Sequence, residues 1–353
     1  MSSKVSVAIK SYNHAPYVRQ CLESVLAQTY DNLEIIVTDD ASTDGTAEII
    51  RGISDHRIDF KALEVNTGIS NAMNATLARA TGDYVAILNS DDLAFPDRVE
   101  KQIRFLDAHP EIDALFGIPK MIAENGEPTN EPWQFSRPGE FTNAAWLRFF
   151  FQHGNCLCAP TAMIRRSAYV RAGLYDPRLT NLQDFDMWVR MLVGGSNLWL
   201  SSDEVTAFRV RDGARNASAF RRDSQLRVRY EYSRILRWYR TLSDETLKRV
   251  FSDDLKSGAV RTENKPKDVW LSEIALTVDL PPHRLFALDT LFDTAESLDD
   301  YKRLSDVMGR TDVFGFWTEK ELHDVIAQKN EKIARLRSPI SKALRSFRKK
   351  IRG

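Results

Sequence analysis

Short apolar runs alternate with amphipathic stretches through the first third of the chain. Val5–Ile9, Leu33–Thr38 and Tyr84–Leu88 are short, largely apolar runs of strand length, and Ile58–Leu63 also reads as a strand. Between them, Pro16–Gln28, Thr46–Ile53 and Ser70–Ala80 repeat apolar or small residues at helical spacing. Strands alternating with helices predict βαβ units and a mostly parallel sheet.

The pattern continues with a helix over Pro96–Ala108, which carries Pro just inside its start and stops before His109-Pro110. A strand is expected over 112–118, a turn-rich loop over 124–139 and an aromatic helix over Asn143–Phe151. Thr161–Ile164, a turn at Gly173–Pro177, a helix over Asp184–Val193 and a strand pair within 198–210 follow. From about Arg221 the pattern is helical with mixed charge. The polar stretch Arg211-Asp212-Gly213-Ala214-Arg215-Asn216-Ala217-Ser218 marks a boundary. The expected organisation is a catalytic-type α/β domain over 1–215, a helical region over 216–329 and a tail over 330–353.

The tail changes the reading of charge. The 353-residue chain has 49 Lys+Arg and 49 Asp+Glu, a formal net charge of zero. Yet residues 330–353 hold nine Lys/Arg against Glu331 alone, so the remainder is acidic. An acidic body argues against nucleic-acid binding by the main domain. In the tail, Ile333, Leu336, Ile340, Leu344, Phe347 and Ile351 recur at three- or four-residue steps among Lys and Arg. A basic amphipathic helix of this kind suits an anionic membrane surface.

Three cysteines, Cys21, Cys156 and Cys158, make no disulfide framework and point to a reducing compartment. The first residues lack the apolar core of a signal peptide, and no apolar run is long enough to span a bilayer. The expectation is a cytoplasmic protein, peripheral on the inner face of the membrane.

Ligands of open parallel sheets gather at the carboxyl ends of the strands. There the chain places Lys10-Ser11-Tyr12-Asn13-His14, then Asp39-Asp40-Ala41-Ser42-Thr43-Asp44-Gly45-Thr46, then Asn89-Ser90-Asp91-Asp92. Asp, Asn, Ser and Gly also make turns and caps after strands, but three such segments on one rim point to a site. Adjacent carboxylates need a cation or donors to offset their repulsion. Oxygen ligands suit Mg²⁺ or Mn²⁺ bound through one or two carboxylates plus a substrate's phosphates. GxxxxGK[ST] and GxGxxG loops are both missing, which removes P-loop NTPases and dinucleotide oxidoreductases.

These segments, together with Asn66-Thr67-Gly68-Ile69-Ser70-Asn71-Ala72-Met73-Asn74 and Gly82-Asp83-Tyr84, resemble family 2 glycosyltransferases in order and spacing over about residues 4–210. The resemblance implies a GT-A (Rossmann-like) α/β sheet flanked by helices, followed by a helical C-terminal region. It implies a nucleotide-sugar donor of UDP or dTDP type and inversion at the anomeric carbon. Ser11, Tyr12 and Asn13 would border the base and ribose. Asp40, with Asp39 beside it, would accept a hydrogen bond from the base. Gly68 and Asn71 belong to the donor loop. Asp91 would hold the ribose and Asp92 the Mn²⁺ or Mg²⁺. Two departures stand out: Asn89 replaces the first Asp of the Asp-x-Asp-Asp element, and Met73 replaces the usual Arg.

Asn181-Leu182-Gln183-Asp184-Phe185-Asp186-Met187-Trp188 resembles the family's Glu-Asp-Tyr-Asp-Leu-Trp element. Inverting transfer needs a base that takes the proton of the acceptor hydroxyl. Asp184 matches it, Gln183 replaces the usual Glu, and Asp186 is the fallback. His153 and His14 are further candidates near metal or diphosphate. Trp133 is an acceptor-stacking candidate, whereas Phe149–Phe151 read as core. The implied acceptor is a saccharide or lipid-linked saccharide of a bacterial surface polysaccharide, and self-association through the C-terminal helices is possible. Two other readings stay open: a nucleotidyltransferase, and a non-catalytic sugar-binding or scaffold protein on the same fold.

Overall fold

The computed structural model describes residues 2–305 apart from 131–132, 134–135, 212–221, 298–299, 301 and 303. Residues Met1–Thr294 form one compact unit, and a second unit begins at Ala295. The polar boundary near 212–218 and the basic tail lie outside the described residues.

Eight strands form one mixed sheet: β1 (Val5–Ser11), β2 (Leu33–Asp39), β3 (Ile58–Ala62), β4 (Tyr84–Asn89), β5 (Leu93–Ala94), β6 (Ala114–Ile122), β7 (Met163–Arg165) and β8 (Leu198–Arg209). Their order is β3-β2-β1-β4-β7-β6-β8-β5. The first four strands are mutually parallel, as the alternating pattern requires. β7 runs antiparallel to both β4 and β6, and β5 antiparallel to β8.

The central strands are buried on both faces, and their side chains sort by parity. Val5, Val7 and Ile9 of β1 and Tyr84, Ala86 and Leu88 of β4 join one apolar cluster. It is completed by α1 (Val18–Leu26) and α4 (Arg98–Ala108). Ala8, Val85 and Ile87 join the other. Here they meet α3 (Ile69–Leu77), α5 (Asn143–His153) and α7 (Gln183–Val193). Edge strand β3 is only half covered and alternates accordingly. Two further short helices, α2 (Thr46–Arg51) and α6 (Arg166–Ala172), complete the α/β part.

The predicted helical region is seen as α8 (Arg222–Leu236), α9 (Asp244–Val250), α10 (Ser252–Lys256), α11 (Lys267–Val278) and α12 (Pro281–Thr294). It is no loose appendage. Ile235, Tyr239, Phe251, Trp270 and Phe286 belong to the same apolar cluster as Phe150, Phe151 and Trp188. Each of these side chains is at least 98% buried, and burying such a residue contributes roughly 1.5–3 kcal/mol.

One strand expectation is corrected. Residues 198–210 form a single long strand, β8, not a pair. Its polar middle, Ser201 to Glu204, resembles a turn but lies where the β6–β8 register shifts around Gly117 and Ile118. A Cβ at Gly117 would stand 2.6 Å from Val205 Cγ2 and 2.7 Å from the Asp203 carbonyl oxygen, so the bulge needs glycine there.

Candidate functional site

β1, β2 and β4 are neighbours and end on one rim. Both of the first two strands leave the sheet through left-handed residues, Asn13 (φ 52°) and Ala41 (φ 59°). Asn13 offsets this locally: its N–H donates to Ser42 Oγ at 2.8 Å, and its Oδ1 accepts from the Thr43 N–H at 2.9 Å. Ala41 has no such compensation from its side chain, and strain of this kind gathers at functional sites. The two crossed contacts lock the β1 and β2 ends together. Tyr12 is left 46% exposed beside them, free to stack on a planar ligand. Among the described residues, Ser11 Oγ is buried without a hydrogen-bond partner.

The two aspartates at the end of β2 have different duties. Asp39 holds the turn, accepting from the Ser42 N–H at 2.8 Å and from Ser42 Oγ at 2.6 Å. Asp40 reaches the loop before α3. One oxygen accepts from Thr67 N–H and Oγ1 at 2.7 and 2.8 Å, and the other from the Gly68 N–H at 2.9 Å. Gly68 takes φ +88°, a conformation that disfavours other residues. A carboxylate has about four lone-pair sites, so Asp40 retains one. Asn71 is exposed on the first turn of α3 and donates to the Thr67 carbonyl at 2.9 Å. Met73 is 2% exposed in the core and presents nothing to the rim.

Beyond β4 the chain crowds charges. Asn89 links Lys10 to Asp92: its Oδ1 accepts from Lys10 Nζ at 2.9 Å and its Nδ2 donates to Asp92 Oδ2 at 3.0 Å. Asp92 Oδ1 accepts from the Arg209 N–H at 2.8 Å. The Arg209 side chain is buried and donates to the carbonyls of Asp91 and Glu124 at 2.8 and 2.7 Å. Asp91 Oδ2 lies 3.3 Å from Arg211 Nε. Arg211 Nη1 also stands 3.0 Å from His14 Nε2. Arginine only donates, so that nitrogen accepts, and His14 Nδ1–H donates to Ser90 Oγ at 2.7 Å. Burial pushes the Asp92 pKa well up and the Asp91 charge adds to it. Burial holds the His14 imidazole below its ordinary value.

Among the described residues, no three His, Cys, Asp or Glu side chains converge as a ready-made metal cage. Asp92 nonetheless keeps a second lone pair on each oxygen. That donor chemistry fits a Mg²⁺ or Mn²⁺ ion that keeps its waters and is held through one carboxylate together with a bound diphosphate.

The other half of the site is the start of α7. Asp184 is partly open, and among the described residues nothing donates a hydrogen bond to its carboxylate. Burial raises its pKa, with the Lys10 ammonium pulling the other way. Asp186 is committed elsewhere: its Oδ2 accepts from Arg190 Nε at 2.7 Å and its Oδ1 from Trp238 Nε1 at 2.8 Å. Gln183 is buried, and among the described residues its Oε1 has no hydrogen-bond partner.

The segment before α7 is held from two sides. From α3, Ser70 Oγ donates to the Leu179 carbonyl at 2.9 Å, and Asn74 exchanges two 2.9 Å bonds with Tyr175. From α8, buried Glu231 accepts from the backbone N–H groups of Thr180, Asn181 and Leu182 at 2.9, 3.0 and 2.8 Å. α7 has no capping side chain of its own, and Glu231 holds the segment that leads into it, up to the N–H of its N-cap residue Leu182.

Trp133 packs edge-on against Phe208, ring centres 5.9 Å apart, beside Arg209. His153 is exposed at the end of α5 against the Phe149 ring. Phe149, Phe150 and Phe151 are core residues, as expected. Lys10, Arg209, Arg211, Glu231 and Trp238 were not singled out as functional in the sequence. Lys10 alone carried a local signal, being a charge at the end of an otherwise apolar strand.

The sequence profile described as Glycosyl transferase family 2 matches residues 6–172. The chain is 31% identical over 226 residues to EpsE of Bacillus subtilis, described as a glycosyltransferase, covering 63% of this chain and 76% of that one. It is 30% identical over 219 residues to the UDP-Glc:alpha-D-GlcNAc-diphosphoundecaprenol beta-1,3-glucosyltransferase WfaP of Escherichia coli, covering 62% and 81%. Among solved structures, S. aureus TarS 1–349 in complex with UDP-GlcNAc shares the fold, with a TM-score of 0.56, 20% identity, and 87% and 92% of the two chains covered. The GT-A sheet, the ordered strand-end motifs and these relatives agree: the chain is a glycosyltransferase and belongs to family 2.

Proposed function

We propose that the enzyme moves a sugar, with inversion, from a UDP- or dTDP-type nucleotide sugar to a saccharide or lipid-linked saccharide in surface-polysaccharide synthesis. The observation that carries this reading is the Asp184 carboxylate, unbonded and partly open among the described residues, at the start of a helix braced from α3 and α8. A general base must be free to accept a proton and poised near working pH, and burial raises this carboxyl toward that range. Asp186, tied to Arg190 and Trp238, is not free in this way.

In this reading Asp184 takes the proton of the acceptor hydroxyl as that oxygen bonds to the anomeric carbon. The bond from that carbon to the diphosphate breaks on the opposite face, and the nucleoside diphosphate leaves. Tyr12 would stack on the base, and Ser11, Asn13, Asp40, Gly68 and Asn71 would line its cradle. Asp91 would face the ribose, and Trp133 the acceptor. Asp92 would hold a Mn²⁺ or Mg²⁺ ion, which when bound would neutralise charge on the leaving diphosphate.

The lipid-linked acceptor draws support from the name of WfaP and from the basic amphipathic pattern of 330–353, which would rest on an anionic membrane surface. No helix among the described residues is long and apolar enough to cross a membrane.

The test is calorimetric titration with UDP, dTDP, GDP and CMP, with and without Mn²⁺, followed by transfer assays with the sugar nucleotides of whichever base binds. UDP or dTDP binding, with transfer lost in Asp184→Asn, supports the reading. Unchanged turnover in Asp184→Asn removes it as the base, and no binding of any nucleotide overturns the donor assignment.

A further inference from the structure

We propose that Lys10 binds the donor's diphosphate and carries part of the charge that builds on the leaving group. This rests on the transferase reading above and adds to it a cation from the end of β1.

Lys10 is the penultimate residue of the central parallel strand and sits in register with Asn89 of β4. Its half-buried ammonium donates to Asn89 Oδ1 at 2.9 Å. Among the described residues it makes no other hydrogen bond and no ion pair. An ammonium has three N–H donors, so two are unused. A partly desolvated cation without a carboxylate partner is costly and is the expected state of a group that an anionic ligand completes.

The surroundings say where the charge acts. The fields of Lys10 at Asp184 and at Asp92 both favour the ionised carboxylate. Its charge is therefore within electrostatic reach of both the candidate base and Asp92. Asn89 preserves this arrangement. A carboxylate at 89 would pair with Lys10 and neutralise it, whereas the Asn amide orients the ammonium and leaves its charge intact. The cation expected at position 73 is replaced by a core methionine. The β1 ammonium supplies positive charge that α3 does not.

The competing role is structural, a strand-end tie between Lys10 and Asn89. The two roles separate by measuring UMP and UDP affinities of the full chain, and the thymidine counterparts, by calorimetry with and without Mn²⁺. The variants are Lys10→Met, which keeps the stem, and Lys10→Arg, which keeps the charge. A charge-assisted contact to the second phosphate predicts that Lys10→Met loses roughly 10-fold or more of UDP affinity. UMP affinity should fall far less, and Lys10→Arg should recover most of the preference for UDP. The loss should be larger without Mn²⁺ than with it. Equal UDP-over-UMP preference in wild type and Lys10→Met overturns this inference alone. Parallel loss of UMP and UDP affinity assigns Lys10 to structure and overturns it as well. A wild-type chain that binds none of these nucleotides overturns the donor reading and the inference with it.

Discussion

Glu231 accepts the backbone N–H of Leu182 at 2.8 Å, so a carboxylate of the helical region holds the N-cap residue of the helix that carries Asp184. The same carboxylate takes the N–H groups of Thr180 and Asn181. In Glu231→Gln an amide NH₂ faces these donors, and the start of α7 loses its anchor. Misplacing a reacting group by about 1 Å costs on the order of 100-fold. The expected result is a kcat lower by about 10- to 100-fold with nucleotide affinity within about 2-fold of wild type. A variant that loses affinity and kcat in proportion would mean that Glu231 supports the whole fold and not the base in particular.

Asp184 makes a prediction in both rate and stability. Replacement by Asn should lower transfer by roughly 100- to 10,000-fold, the usual worth of a positioned base, and leave nucleotide binding intact. In the wild type the base must be ionised. Activity should therefore fall on the acid side through a carboxyl pKa above the ordinary Asp value, because burial raises it. Stability has the opposite sense. A raised folded-state pKa disfavours the ionised form, so this group's contribution is lost as pH rises through that pKa. Asp184→Asn should melt higher than wild type at neutral pH and lose that advantage in acid, which paired melting curves at the two pH values would show.

Arg98 is 1% exposed and donates to Gln102 Oε1, Thr206 Oγ1 and the carbonyls of Ile87 and Ala162. It stitches β4, β8 and the turn before β7 behind the acidic cluster. Arg98→Leu removes a buried donor from Gln102, Thr206 and the Ile87 carbonyl, while the Ala162 carbonyl keeps its bond from the Ile87 N–H, at a cost of about 3–5 kcal/mol. Urea unfolding should show an unfolding free energy lower by that amount. A shift under about 1 kcal/mol would mean that water replaces the guanidinium.

Asp40 joins the β2 end to the start of α3 through Thr67 and Gly68. Asp40→Asn turns one acceptor toward these donors into a competing NH₂, so the loop should open and nucleotide affinity fall by at least about 10-fold. Amide exchange over 66–70 should speed up in the same variant. Weak binding with unchanged exchange would assign Asp40 to direct contact with the base instead.

Much of the fold was legible locally. Buried strands of a parallel sheet read as continuous apolar runs, and β1, β2 and β4 begin where those runs begin, while the half-covered β3 begins at Ile58, where its strand was expected. β8 was misread because a bulge hides polar residues in a paired strand, a feature of two strands and not of one. β5, of two residues, is too short to leave a periodic pattern, and exists because β8 runs beside it.

The sequence alone determined the parallel α/β core, the three polar strand ends on its rim and the family to which the ordered motifs belong. These follow from side-chain period and from residues adjacent in the chain. The tertiary structure decided the electrostatics. Among the described residues nothing donates to the Asp184 carboxylate, whereas Asp186 is committed to Arg190 and to Trp238, which arrives from 52 residues away. Asp92 is pinned by the backbone of Arg209, 117 residues on, and the entry to the helix that carries Asp184 is held by Glu231, 49 residues beyond Leu182. Which charge is paired and which is left for a ligand depends on partners that only folding brings within about 3 Å, the range at which a hydrogen bond forms.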